Sequence, residues 1–170
     1  MVGAGEPRKN AHLLAGAFAD AFAGREVQLV VVGSLAPDAE REARARAIAL
    51  HIESGIDDMR LRDLYRGAAC VAVPSLAEGF GLVVVEAQAC GAPVVASNAS
   101  ALPEAAGNAA LLVDPHDRTG WRDALRSVVD DQAVALRLRA LGVARFSLGR
   151  RDEAARAILA ALRDLADHRA

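Results

Sequence analysis

The chain has 170 residues, of which 53% are hydrophobic but only 4% aromatic, so a core must be built mainly from Ala, Val and Leu, the usual material of an α/β protein. A formal net charge of −2, with acids and bases interspersed, offers no basic field to gather nucleic acid or an anionic membrane. No apolar run approaches the roughly 18 residues of a transmembrane segment, and the N-terminus lacks the order of a signal peptide, so the expected setting is cytoplasmic.

Short β-branched runs alternate with helical patterns. The strands are expected at Val27–Val32, Leu50–Ile52, Cys70–Val73, Pro93–Ala96 and Ala110–Val113, and they read as continuous apolar stretches, as strands buried on both faces require. Asn10–Ala23 repeats apolar residues at a helical period and stops at Gly24. Pro37 and Asp38 open a charged helix to about Ala47, and Asp57 is placed to cap a helix whose Leu61, Leu64, Tyr65 and Ala68 share one face. A further helix begins near Gly81 and ends at Gly91 before Pro93. This order implies a doubly wound parallel sheet with right-handed crossovers. From about residue 117 the pattern is helical, with segments Asp117–Val129, Gln132–Ala144 and Arg151–Asp167 whose mixed charges read as a solvated face.

The two cysteines, Cys70 and Cys90, lie in apolar runs without a second CxxC or a histidine cluster, so buried free thiols are expected rather than a disulfide or a metal site. His12, His51, His116 and His168 are scattered, and Asp57-Asp58 is better explained by helix capping than by metal binding.

The most informative segment runs from Pro74 to Ala87, at the C-terminal end of a strand and into a helix, where open α/β sheets bind ligands. Gly79 and Gly81 let a ligand approach the backbone, and the first amides of the helix face an arriving anion. Glu78 stands in the loop and Glu86 lies about one turn into an otherwise apolar helix, where a carboxylate is costly to bury without partners. Two readings are open for it: a charge bonded to backbone or arginine, or an acceptor for the two hydroxyls of a vicinal diol, such as a ribose or hexose presents.

From Glu78-Gly79-Phe80-Gly81-Leu82 through Glu86, and on through Ala87-Gln88-Ala89-Cys90-Gly91-Ala92-Pro93-Val94-Val95-Ala96-Ser97, the sequence resembles the E-x7-E region of family 4 glycosyltransferases. The resemblance extends to Glu6-Pro7-Arg8-Lys9-Asn10, Leu64-Tyr65-Arg66-Gly67-Ala68, Leu102-Pro103-Glu104-Ala105-Ala106-Gly107 and Asp114-Pro115, in the family's order. It implies the nucleotide-sugar-binding half of a GT-B fold, retaining chemistry, and no metal or other cofactor. By this resemblance Glu78 binds the donor hexose and Glu86 the ribose, with the backbone of Gly79, Phe80, Gly81 and Leu82 assisting at sugar and phosphate. Lys9, the sole lysine, matches the family's diphosphate-neutralising lysine. Relatives commonly carry an arginine directly after the first-loop glycine, whereas Ala4 follows Gly3 here; Arg8 is the alternative phosphate ligand. Gly55 and Ile56 fall where relatives hold the nucleobase, although an ordinary connection is an equal reading, and Gly33 ends another strand on the same crevice.

The expected activity is hexosyl transfer from a nucleotide-diphosphate sugar, with residues 1–170 as one donor-binding domain and the acceptor-binding N-terminal domain absent. The rival reading is a non-catalytic nucleotide-sugar-binding module or remnant. A nicotinamide-binding oxidoreductase, suggested by Gly3-Ala4-Gly5, fails because Arg8 stands at the third glycine's place and no acid follows the next strand. Only Met1-Val2-Gly3 precede the first loop, so most of a central first strand is expected to be missing. The strands Val27–Val32 and Cys70–Val73 are then expected to face a gap, which invites self-association.

Overall fold

The computed structural model describes residues 1–147. After a 3-10 turn at Pro7–Lys9 come α1 (Ala11–Phe22), β1 (Leu29–Val32), α2 (Pro37–Ala45), β2 (Leu50–Glu53), α3 (Asp58–Gly67) and β3 (Val71–Val73). They are followed by α4 (Leu82–Ala89), β4 (Val94–Ser97), α5 (Leu102–Ala106), β5 (Ala110–Val113), α6 (Arg118–Asp130) and α7 (Gln132–Ser147). The helix expected at Arg151–Asp167 lies outside the described residues.

All strand pairs are parallel: β1 pairs with β2, and β4 pairs with β3 on one side and β5 on the other. Between these two parts no ladder joins β1 to β3 among the described residues; the short stretch Met1–Gly3 lies along β1 instead, through a parallel bridge of Val2 with Val32. Because side chains alternate across a sheet, Val71, Val73, Val94 and Ala96 join one apolar cluster while Ala72 and Val95 join the other. The first cluster includes Tyr65 of α3, Val84 of α4 and Leu102 of α5, and the second includes Leu14 and Phe18 of α1 and Trp121 and Leu125 of α6. The result is three layers with the parallel sheet in the middle.

Strands β3 and β4 are buried throughout, as continuous apolar runs require, but β2 and β5 are edges and stay partly exposed. Asp57 caps α3 as expected, accepting from the Arg60 amide at 2.8 Å, and Asp117 caps α6 by accepting from Gly120 at 2.9 Å. The C-terminal helices are more than a solvated face: Trp121 and Leu138 are buried, and Arg139 of α7 donates to the carbonyls of Gly91 at 2.9 Å and Ala68 at 3.2 Å. Cys70 and Cys90 are free thiols, half-buried rather than fully enclosed. Among the described residues no helix is long and apolar enough to cross a membrane.

Candidate functional site

In a parallel sheet all the strands end on one side, and the loops after β3 and β4 meet the first loop there. Asn10 holds this junction together. Its backbone is left-handed, with φ 57°, and its side-chain amide donates to the carbonyls of Pro74 at 3.2 Å and Pro115 at 2.7 Å. The Leu76 amide donates to the Arg8 carbonyl at 2.8 Å, and the Ser97 hydroxyl to the Ser75 carbonyl at 2.5 Å. These bonds place Lys9 and Arg8 over the loop that carries Glu78.

Glu78 gathers three charged or polar donors. Lys9 Nζ at 2.7 Å and Ser75 Oγ at 2.8 Å donate to Oε1, while Arg8 Nη1 donates to Oε2 at 3.0 Å. The side chains of Lys9 and Glu78 are only 11% and 12% exposed, so this ion pair is shielded from solvent far more than a surface pair. Burial works to raise the Glu78 pKa, but the hydrogen bonds from Lys9, Ser75 and Arg8, with the charge of Lys9, outweigh it and hold the carboxyl below its ordinary value. Arg8 is shared, since its guanidinium also meets Glu6 at 2.8 and 3.2 Å. A carboxylate has about four lone-pair sites, so Glu78 keeps room on Oε2 for one further donor, such as a sugar hydroxyl.

The glycine turn then delivers the chain into α4. Gly81 has φ +80°, and a Cβ there would lie 2.8 Å from Ala105 Cβ, so both conformation and space demand glycine. No side chain caps α4, which leaves its first amides as donors for an anion. Phe80 and Leu82, 67% and 60% exposed, flank the turn, and Gly79 is exposed as well.

Glu86 departs from the sequence expectation. It is exposed on α4, so no burial cost has to be met, and its partner is neither backbone nor arginine. The Tyr65 hydroxyl donates to Glu86 Oε2 at 3.0 Å. Oε1 takes no hydrogen bond from the described residues, which leaves the carboxylate able to accept from two adjacent hydroxyls.

Gly33, with φ +95°, ends β1 beside Gly3, and a Cβ on Gly3 would in turn meet Lys9 Cε at 3.5 Å, so these three form one wall. Gly55 and Ile56 follow β2 on the same side of the sheet, and the hydrogen-bond network around Glu78 does not include them. Ser75, Tyr65, Asn10 and Ser100, whose hydroxyl accepts from the Glu78 amide at 3.0 Å, were not identified from sequence as site residues. Ser75 had a signal, since it sits three residues before Glu78 at a strand end; Tyr65 looked like a core residue, which it also is. Among the described residues no group of three or more His, Cys, Asp or Glu is arranged to hold a metal ion.

The fold and the sequence both have counterparts among known proteins. The D-inositol 3-phosphate glycosyltransferase of Xylanimonas cellulosilytica is 40% identical over 144 residues, covering 79% of this chain and 34% of that protein. The enzyme of the same name from Mycolicibacterium smegmatis is 45% identical over 91 residues, covering 52% of this chain and 21% of its own length. The chain thus spans about a third of the first of these relatives. Sucrose-phosphate synthase from Thermosynechococcus elongatus overlays with a TM-score of 0.71 at 29% identity, covering 94% of this chain and 45% of that one. HepE of Anabaena, solved in complex with UDP and glucose, shares the fold with a TM-score of 0.70 at 24% identity, over 83% of this chain and 42% of its own. The parallel α/β arrangement is therefore that of GT-B glycosyltransferases. With the family model for glycosyl transferases group 1 matching residues 1–142, the chain belongs to that family.

Proposed function

We propose that this chain is the donor-binding, C-terminal half of a family 4 GT-B glycosyltransferase. It transfers a hexosyl unit from a nucleotide-diphosphate sugar to an acceptor held by a separate N-terminal domain. The observation that carries the reading is the meeting of Lys9 and Arg8 with Glu78 at the mouth of the Gly79–Gly81 turn, with Glu86 one helical stretch beyond. An anionic diphosphate docks on the uncapped amides of α4 and draws Lys9 and Arg8 toward its oxygens. Glu78 then accepts from a hexose hydroxyl and Glu86 from the ribose diol, with Gly33, Gly55 and Ile56 forming the nucleobase side. As the glycosidic bond breaks, charge accumulates on the leaving diphosphate, and these preorganised donors stabilise it there.

Retention at the anomeric carbon and independence of metal belong to the family 4 reading. A cytoplasmic setting is supported by the two unpaired cysteines. A non-catalytic donor-binding module is the second reading. Calorimetric titration with uridine, guanosine and adenosine diphosphates and their sugars tests the donor site: one diphosphate should bind, and more weakly once Glu86 is replaced by Ala. Absence of binding by all of them overturns the reading. Donor hydrolysis by the chain, with and without a supplied N-terminal half, separates the enzyme from the module.

A further inference from the structure

Residues 98–101 connect β4 to α5, and their first amide, that of Asn98, is fixed to the Val113 carbonyl of β5 at 2.9 Å. Within this loop Ser100 is exposed, yet it adopts φ 48°, in the left-handed region where a Cβ is costly and glycine is the natural occupant. What a serine adds there is a hydroxyl oxygen, which accepts from the Glu78 amide at 3.0 Å. A second hydroxyl, that of Ser97 at the end of β4, donates to the Ser75 carbonyl at 2.5 Å. The loop that carries Glu78 is thus tied to the β4 side at Ser75 and again at Glu78 itself.

Glu78 is held at both ends, by groups of different kinds. Its carboxylate is held by Lys9, Arg8 and Ser75, and two of these are cations that an arriving diphosphate draws toward itself in the function proposed above. The bond from the Glu78 amide to Ser100 joins two neutral groups and involves neither cation, so it persists when they turn to the phosphates. We propose that Ser100 is a positioning residue for recognition of the hexose: its hydroxyl fixes the main chain of Glu78, and so aims the carboxylate at the sugar, while Lys9 and Arg8 engage the diphosphate. The proposal rests on the donor-site reading. It also accounts for the backbone of Ser100, because glycine would relieve the strain but release the Glu78 amide. Alanine would release the amide and keep the strain.

Two variants of the full chain separate this role from a contribution to stability. Ser100→Gly and Ser100→Ala both remove the hydroxyl, but only alanine retains the strained backbone, so the glycine variant should melt at least about 2 °C above the alanine one. Both should nevertheless lose the same recognition. Calorimetric titration uses uridine, guanosine and adenosine diphosphate and the glucose, galactose and mannose esters of each. The ratio of affinities between the ester that the native chain prefers and its bare diphosphate should fall about 2- to 10-fold in both variants, the worth of one neutral hydrogen bond. The Glu78 amide, followed by NMR, should exchange with solvent about 2- to 10-fold faster in both. Retention of the ratio in either variant, a loss confined to the alanine variant, or unchanged exchange at Glu78 overturns the role of Ser100. A native chain that binds no diphosphate, or prefers no ester over it, overturns the donor reading and the role built on it, so the native titration tells the two failures apart.

Discussion

The Tyr65 hydroxyl and the Glu86 carboxylate meet at 3.0 Å, joining a buried ring on α3 to an exposed acid on α4. Burial, followed by the neighbouring Glu86 charge, raises the Tyr65 pKa far above its ordinary value, so the hydroxyl stays protonated and is a permanent donor. The bond occupies one oxygen of Glu86 and restricts the rotamers of a side chain that would otherwise be free in solvent.

Tyr65→Phe keeps the ring and its packing but deletes that donor. If Glu86 accepts from a ribose, the variant should bind the nucleoside diphosphate about 2- to 10-fold more weakly, the worth of a typical net hydrogen bond of about 0.5–1.5 kcal/mol. Its thermal midpoint should hardly move. Titration calorimetry against the diphosphate checks this, and unchanged affinity removes Tyr65 as a positioning residue.

Glu86→Ala should weaken the bare nucleoside diphosphate roughly ten- to hundredfold, whereas Glu78→Gln should mainly reduce the preference for the intact sugar donor. The geometry motivates the split: Glu78 sits with the first-loop cations and has one lone-pair site left, while Glu86 stands apart with an oxygen open. Equal effects of both changes on the bare diphosphate would contradict it.

How much of this was legible in the sequence varies with how local the cause is. β5 runs from Ala110 to Val113 as expected, and α4 starts after Gly81, because turn chemistry and apolar runs are local signals. α5 was not anticipated as a helix: it is five residues long with Pro103 in its first turn, too short for a period to show. Val27 and Gln28 do not join β1, since β2 pairs only from Leu29 onward. The exposure of Glu86 was hidden because an apolar neighbourhood in sequence need not be one in space; Val84 and Ala87 take the core face of α4. The three donors on Glu78 come from two loops some 69 residues apart, a distance no motif spacing measures.

Lys9→Ala should lower affinity for diphosphates much more than for the nucleoside, because its charge acts at the phosphates. The change also leaves Glu78 with one donor fewer in a shielded site, so about 1–3 kcal/mol of stability should be lost. Binding at a temperature well below the variant's midpoint separates the two effects; an equal loss for nucleoside and diphosphate would show that folding alone is involved.

The depressed pKa of Glu78 carries a pH dependence of defined sign. In the unfolded chain the carboxyl titrates near its ordinary 4.5, and in the folded chain below it. Its stabilisation is therefore complete above the unfolded value and is lost as pH falls through the folded one. The midpoint difference between the native chain and Glu78→Gln should be constant around neutrality and shrink only in acid, below the ordinary carboxylate range. A difference that instead fades between about pH 6 and 8 would point to another group.

Gly81→Ala offers the sharpest test of how the loop is built. The residue has φ +80°, where a Cβ costs roughly 1–2 kcal/mol, and that Cβ would stand 2.8 Å from Ala105 Cβ and 3.2 Å from Leu102 Cδ2. Ala105 belongs to the short helix α5 and cannot swing aside as a long side chain would, so overpacking adds about 1–3 kcal/mol. The expected destabilisation of about 2–5 kcal/mol is large for a single methyl group, and it falls on the segment that aims the first amides of α4. Diphosphate binding should weaken even where the protein remains folded, because displacing the turn moves those amides away from the phosphates. Gly79→Ala is the matched control: Gly79 is exposed, its φ is not positive, and a Cβ there would meet nothing within 4 Å. It should cost no more than about 0.5 kcal/mol. Denaturant titration of both variants measures the contrast, and equal stability of the two would mean that the contact between the turn and α5 does not hold in solution.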